Sequence, residues 1–406
     1  MTPRSVPRLP ALAVLLAATS CGEDGPPSSG AGFAARDSAG IAIAENRGEP
    51  GGLVVLDGQP RLDLGVAEGD PAAQFTEIVG AAITSHGELV VADAGPSELR
   101  FFDADGAHVR TVGGQGEGPG EFVALARLAT RGDSLIAWSQ RGFRFSVFEE
   151  DGSYLGMTPP GAFYVGLMGD GTLISYDVVS REMPDPGTVS RSFGLLRRHI
   201  PGGETADTII RFEMNDRYVH DVVPGFSERM FGRNTAIVYG DELITVADND
   251  RWELRRARSD GTIAMVVRWD RPARPVTPAD VSRYIETRRE QYGDDPRAGM
   301  FMQTLVDQPP PDRMPAFGRS GLLRGDLPYA FESETGDLWI LDYVAFPDEA
   351  ETWRVFDADG RLYASVRLPP GVEVAWVGRG SLVAVGLDEL DVPHVVVYDL
   401  PDFSDG

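Results

Sequence analysis

The chain has 406 residues, with 62 acidic and 37 basic side chains, a formal charge of −25 and an apolar fraction of 42%. That apolar content supports a folded core and excludes global disorder, while the charge argues against nucleic acid as a partner, because phosphate binding needs a basic stripe. Every basic side chain is Arg, which removes lysine Schiff-base chemistry and any P-loop.

Arg4 and Arg8 precede an apolar run from Leu9 to Ala18. The run is about half of the ~20 residues a spanning helix needs, so 1–20 predicts a secretion signal and not a membrane span. Cys21 is the only cysteine and follows Ala18-Thr19-Ser20, where cleavage would make it the first mature residue. A single thiol in an exported chain forms no internal disulfide. Residues 21–40, rich in Gly, Pro, Ser and Ala, predict a flexible tether. The folded domain is expected over 41–403.

One strand pattern then repeats. Its clearest copy runs from Leu89-Val90-Val91-Ala92-Asp93 through Leu99-Arg100-Phe101-Phe102 and the turn Asp103-Ala104-Asp105-Gly106 to His108–Val112. The order returns from Leu338 through Trp353–Phe356 and Asp357-Ala358-Asp359-Gly360 to Leu368, and again from Leu243 through Ser259-Asp260-Gly261 to Trp269. A fourth copy starts at Ser134, with its turn at Glu150-Asp151-Gly152, and less regular ones start near Gly171 and Gly380. Asp-Gly between apolar runs is a hairpin signal, because Gly accepts the positive φ that such turns require. A further strand precedes most copies, giving four short antiparallel strands per unit at roughly 40-residue spacing, the signature of propeller blades.

The expected fold is therefore all-β: a six-bladed β-propeller of four-stranded blades. The last unit lacks an outer strand, which Arg61-Leu62-Asp63-Leu64-Gly65 is expected to supply, closing the ring and hiding a sheet edge. Two stretches interrupt the repeat. Val178 to Val189 predicts a surface loop. Residues 271–324 predict a helical insertion between blades four and five. There Thr277-Pro278-Ala279-Asp280 reads as N-cap, proline at the first helical position and an acid three residues on. A helix is expected from Pro278 to about Tyr292, and a shorter one from Pro296 to Val306.

Two resemblances follow from these residues. Ala18-Thr19-Ser20-Cys21 resembles a bacterial lipoprotein lipobox, with Ala18 where Leu is usual; this implies a lipid on Cys21, and Gly22 after it implies sorting to the outer membrane of a diderm envelope. Ala92-Asp93 through Gly106, the Gly113–Phe122 segment, Leu338-Trp339-Ile340 and Val395–Tyr398 together resemble the bacterial six-bladed β-propeller lipoproteins related to NHL-repeat proteins. That resemblance implies a fold and no particular activity. Where NHL repeats place Arg before the third strand this chain has Glu98 and Thr352, so that Arg's contacts do not carry over.

Candidate site residues are few. Asp93, Asp248 and Asp342 end equivalent second strands; they suit capping of the following loop, or a ring of carboxylates at the channel mouth. Trp138, Trp252, Trp339, Trp353 and the Phe101-Phe102 pair lie in repeat-equivalent strands and read first as interblade core; Trp252 and Phe346, beside variable loops, are the candidates for exposure and ligand binding. Gly113–Phe122 leads into a strand and carries Glu117 and Glu121, so it reads as a crossing between blades and not a phosphate cradle. The Asp-Ala-Asp-Gly turns lack the twelfth-position Glu of a calcium loop, since Gly114 and Leu368 stand there. The five histidines show no metal-binding spacing, and only four asparagines are available to a calcium-dependent channel site. No catalytic residue and no metal ligand is assigned; calcium is conceivable but no motif indicates it.

The expectation is an exported, lipid-anchored, monomeric propeller that binds or scaffolds a protein, peptide or glycan partner and touches membrane only through Cys21. The alternatives are a metal-dependent propeller hydrolase or lyase with its site in the channel, and a structural component of a secreted assembly. Fold alone does not choose among them.

Overall fold

The computed structural model describes residues 32–401 and 403, apart from 159–163, 180–183, 200–206, 221–224, 294, 296–297 and 324–326. Cys21 and the secretion signal lie outside the described residues. Strands dominate, and among the described residues no helix is long and apolar enough to cross a membrane.

Five sets of four strands each form an antiparallel sheet, consecutive along the chain except in the third, where one short strand intervenes. The first is Ile78–Ile83, Leu89–Asp93, Glu98–Phe102 and His108–Gly113; the second is Leu125–Arg131, Ser134–Ser139, Arg144–Glu149 and Tyr154–Met157. The third uses Tyr164–Leu167, Leu173–Val179, Phe193–His199 and Asp207–Glu213. Thr235–Tyr239, Ile244–Asp248, Glu253–Ala257 and Ile263–Asp270 build the fourth, and Ala330–Glu332, Leu338–Leu341, Thr352–Phe356 and Leu362–Arg367 the fifth. A sixth holds Val372–Gly378, Ser381–Leu387 and Pro393–Asp399, and its fourth strand is Leu62–Leu64 from the start of the chain, with Leu64 opposite Val395. The outer strand expected at 61–65 is thus in place.

Local chemistry explains the hairpins. In the first sheet the Asp103 carboxylate accepts the backbone N–H groups of Asp105 (3.0 Å) and Ala107 (2.9 Å), and Gly106 takes a φ of 83°. The fifth sheet repeats this, with Asp357 accepting from Asp359 and Arg361 and Gly360 at φ 78°. A side chain at these glycines would meet the left-handed penalty. The inner strands are buried on both faces, which is why Leu89–Asp93 and Leu338–Leu341 read as continuous apolar runs and not as alternation.

Each sheet packs against the next through a buried apolar cluster. Ile136 and Phe145 of the second meet Leu173 of the third; Leu196 and Ile210 of the third meet Ile244 and Val246 of the fourth. Trp252 and Val267 of the fourth meet Leu338 and Phe356 of the fifth, and Trp353 and Val366 meet Leu382 and Val396 of the sixth. One further cluster joins Val383 and Val395 of the sixth to Val90 and Phe101 of the first and Phe148 of the second. Full burial of each such side chain is worth about 1.5–3 kcal/mol.

The N-terminal segment corrects the tether expectation. Gly32–Ser38 is a strand paired with Ile41–Arg47, so a flexible tether cannot extend to residue 40. Ile41–Arg47 then adds in parallel to Ile263–Asp270 at the edge of the fourth sheet, and Gly52–Val55 adds in parallel to Leu362–Arg367 of the fifth. With Leu62–Leu64 on the sixth, residues 41–64 strap three successive sheet edges. Asn46, 4% exposed, links two of them: its amide donates to the Arg268 and Gly360 carbonyls, and its oxygen accepts from the Leu362 N–H.

Between Asp270 and Ala330 lie α1 (Pro278–Tyr292) and α2 (Ala298–Val306). Thr277 caps α1 in a reciprocal box with Asp280. Around Val178–Val189 the second strand of the third sheet runs on to Val179, 180–183 lie outside the described residues, and Val189–Ser190 joins Arg217–Val219 and Phe226–Glu228 in a small sheet. The helices bury their apolar side chains in a separate cluster with Met230, Phe231, Ala345 and Phe346.

Candidate functional site

The two candidates for an exposed aromatic are both buried, and for Trp252 the core reading holds. Trp252 is 4% exposed, packed edge-on to Trp269 at 4.9 Å and beside Phe317. Phe346 is 1% exposed, against Phe231 and beneath the Arg283 guanidinium. Packing of the fourth sheet on the fifth covers the first; the insertion covers the second. Neither is available to a ligand.

The three aspartates are each committed to an arginine. Asp93 is fully buried, accepts the backbone N–H groups of Thr76 and Glu77, and lies 3.4 Å from Arg100. Asp342 is gripped through both oxygens by Arg354 (3.0 and 2.7 Å) and also accepts from Arg271 at 2.7 Å. Asp248 accepts from Arg191 at 2.5 Å and caps the Asp250 N–H. Asp248 caps its following loop as well as pairing with an arginine; Asp93 instead caps Thr76 and Glu77, ahead of the sheet's first strand, and Asp342 is held by arginines. Among the described residues no three His, Cys, Asp or Glu side chains are grouped to hold a metal ion.

Arg100 and Arg354 are what the sequence reading passed over. Asp93 pairs across the sheet with Glu98, and Arg100 is two residues on; Arg354 is likewise two beyond Thr352. Period-two alternation puts each Arg on the same face as the strand's first residue, Glu98 or Thr352, and it reaches the aspartate from inside the strand. In the fourth sheet the matching Arg255 makes no such bond, and Arg191 reaches Asp248 from outside the sheet.

The first strands of all six sheets meet at one cavity of about 280 Å³, to which they contribute Val79, Arg127, Val165, Tyr239, Phe331 and Trp376 in turn. Its walls are largely apolar. Among the described residues its carboxylates are all engaged: Asp241 with Arg131 (2.7 Å), Glu332 with Arg256 (2.7 Å) and Glu334 with Arg379 (2.7 Å). Arg127 differs. Its guanidinium lies 5.7 Å from the Trp138 ring centroid and, among the described residues, has no carboxylate and no hydrogen-bond acceptor. Its side chain is open to the cavity yet crowded by protein, and burial pulls its pKa down, opposed by the neighbouring Tyr239.

Tyr239 also lacks a hydrogen-bond partner for its hydroxyl among the described residues. Burial drives its pKa well up, partly offset by Arg127, so the phenol stays protonated and is a donor. Its ring lies over Gly166, where a Cβ would come within 2.4 Å of it. A second cavity of about 230 Å³ shares Val165, Ile237 and Tyr239 with the first and continues past Tyr176 and Phe212. Nothing in Leu125–Arg131 or Thr235–Tyr239 marks these two residues as different from ordinary strand positions.

No family model matches the sequence, and no curated protein matches it. Solved structures of similar fold include an exported protein from Bacteroides fragilis, at 11% identity over 88% of this chain and 100% of that one, with a TM-score of 0.43. A catalytically inactive virginiamycin B lyase from Staphylococcus aureus is similar at 10% identity over 82% and 97%, TM-score 0.39. A gluconolactonase from Xanthomonas campestris is similar at 12% identity over 86% and 98%, TM-score 0.37. These likenesses are distant, and the reading of the site rests on its own geometry.

Proposed function

We propose that the six sheets are the blades of a closed six-bladed propeller with its helical insertion between blades four and five. In this reading the protein is exported, held in a diderm envelope by a lipid on Cys21, and serves as a non-catalytic binding module. Three observations support the ring: the cyclic order of the apolar clusters, the N-terminal strand on the last sheet, and the cavity reached by every first strand. The lipid and the address rest on the sequence around Cys21.

One observation carries the binding role. Among the described residues each carboxylate of the cavity is paired with an arginine, while two donors are left open to a visitor. A protein, peptide or glycan partner would be recognised by inserting a small group at the ring's centre.

The test is thermal denaturation of the full chain against a panel of small acids, amines, sugars and peptides, with turnover of lactones and esters followed with and without chelator. A ligand that raises the midpoint without being consumed is the expected result. Chelator-sensitive turnover would overturn it and favour a metal-dependent propeller hydrolase or lyase. Separately, Cys21→Ser is expected to move the protein from the membrane fraction to the soluble one; retention in membranes would overturn the lipid anchor.

A further inference from the structure

We propose that the central cavity is a carboxylate site, in which the Arg127 guanidinium and the Tyr239 hydroxyl bind the acid group of a small organic acid whose apolar body lies along Val165 and Ile237. The inference rests on the binding reading above and names the chemistry of the ligand.

Both unpartnered polar groups of the cavity are donors. A cation would meet Arg127 at the cavity wall, and the carboxylates that might attract it are already paired. A neutral ligand would leave the guanidinium desolvated and uncompensated. A carboxylate supplies the two acceptor oxygens that a planar N–H fork and a neighbouring O–H can share. A dianion such as phosphate fits less well. One guanidinium does not neutralise it, and Asp241, Glu332 and Glu334 line the same cavity.

The walls say what the rest of the ligand is. Val165, Ile237 and Phe331 around the donors, and Tyr176 and Phe212 in the adjoining cavity, suit an alkyl or aryl body. The volume lies at the small end of the range of about 300–1,000 Å³ usual for ligand sites, so the acid is small. The Trp138 ring centroid lies 5.7 Å from the guanidinium, at the outer range of a cation–π contact.

The experiment titrates the full chain in detergent with 3-phenylpropionate, the isosteric 3-phenylpropionamide and 3-phenylpropylamine, read by tryptophan fluorescence and calorimetry. The acid is expected to bind at about millimolar or tighter, as fragments of this size do. Amide and amine are expected to be weaker by about 10- to 100-fold, as are Arg127→Met and, to a lesser degree, Tyr239→Phe, each having lost a charge-assisted hydrogen bond. Arg127→Met should leave the melting midpoint of the ligand-free protein within the range of an ordinary surface substitution, because the side chain is solvent-accessible and makes no polar contact there; a structural Arg127 would lower it. Equal binding of acid and amide, or of wild type and Arg127→Met, overturns the carboxylate site while leaving a binding module standing. No binding of any probe, or acid binding no better than chloride, overturns it too; the wider panel then decides the binding reading separately.

Discussion

Asn46 offers the sharpest test of how this fold is held shut. Its side chain makes three hydrogen bonds in a nearly water-free position: two donated to the carbonyls of Arg268 (3.1 Å) and Gly360 (2.9 Å), one accepted from the N–H of Leu362 (2.8 Å). The acceptors and the donor belong to the edge of the fourth sheet and the hairpin of the fifth, so one amide fastens the N-terminal segment to both. Asn46→Leu keeps the volume and removes all three bonds. Each is worth about 1 kcal/mol net, and each orphaned buried partner costs about 1–3 kcal/mol, so the expected loss is roughly 3–6 kcal/mol. Asn46→Asp does no better: a carboxylate can still accept from Leu362 but turns an anion toward two carbonyl oxygens.

The loss should be local before it is global, because the segment binds sheet edges and not the interior. Amide hydrogen exchange over Ile41–Arg47 and Gly52–Val55, with limited proteolysis of the same stretch, reads it directly. In Asn46→Leu those amides are expected to exchange faster while Leu89–Asp93 stays protected. If protection over Ile41–Arg47 drops by less than about 0.5 kcal/mol, the range of an ordinary surface substitution, the strap does not depend on Asn46 and the reasoning fails.

Other expectations follow from single contacts. Gly166→Ala places a Cβ within 2.4 Å of the Tyr239 ring, and should cost about 1–3 kcal/mol in a denaturation midpoint by overpacking while moving the phenol within the cavity. Asp216, 1% exposed, is shared by Arg191, Arg229 and Arg233, so Asp216→Asn should destabilise by roughly 3–5 kcal/mol in urea titration. Burial acts to raise the pKa of Asp280, but bonds from Thr277 and Arg274 win and hold it below the ordinary range. The folded state thus binds this proton less readily than the unfolded chain: its contribution is present above the unfolded aspartate value of about 3.9 and is lost as pH falls through the lower folded value. Helical circular dichroism should fall in that acid window, and Thr277→Ala should cost α1 about 1 kcal/mol at neutral pH.

What could be read from the sequence was what local chemistry decides. The Asp-Gly turns, the Thr277–Asp280 box and the apolar inner strands each depend on a few neighbouring residues. The N-terminal strap was hidden because its partners are distant: Ala42 pairs with Met265, and Gly52 with Ala364. Gly32–Ser38 is exposed along its whole length and carries no apolar period to betray a strand. Proximity to variable loops suggested exposure for Trp252 and Phe346, yet which loop covers which ring is settled by packing between units. The arginines that hold Asp93 and Asp342 stand inside the third strands, Arg100 and Arg354, two residues beyond the Glu98 and Thr352 found where NHL repeats carry Arg, and no expectation was attached to them.

Arg127 is a different matter, since its significance lies in a contact it does not make. The chain carries 62 carboxylates against 37 arginines, so anions are not scarce. Three of them line the same cavity, and each is held by another arginine: Asp241 by Arg131, Glu332 by Arg256, Glu334 by Arg379. Ion pairing of this kind fixes the inner edges of the sheets and removes the carboxylates from further chemistry. The Arg127 cation beside them keeps its access to solvent in the empty cavity and has only a distant ring face near it, so an entering anion is the first counter-charge it meets. That makes the cavity's preference a property of its electrostatics and not of its shape alone. The chain's net charge of −25 opposes the approach of the same anion, but at physiological salt its reach is about 8 Å, so the selection falls to the groups lining the cavity itself.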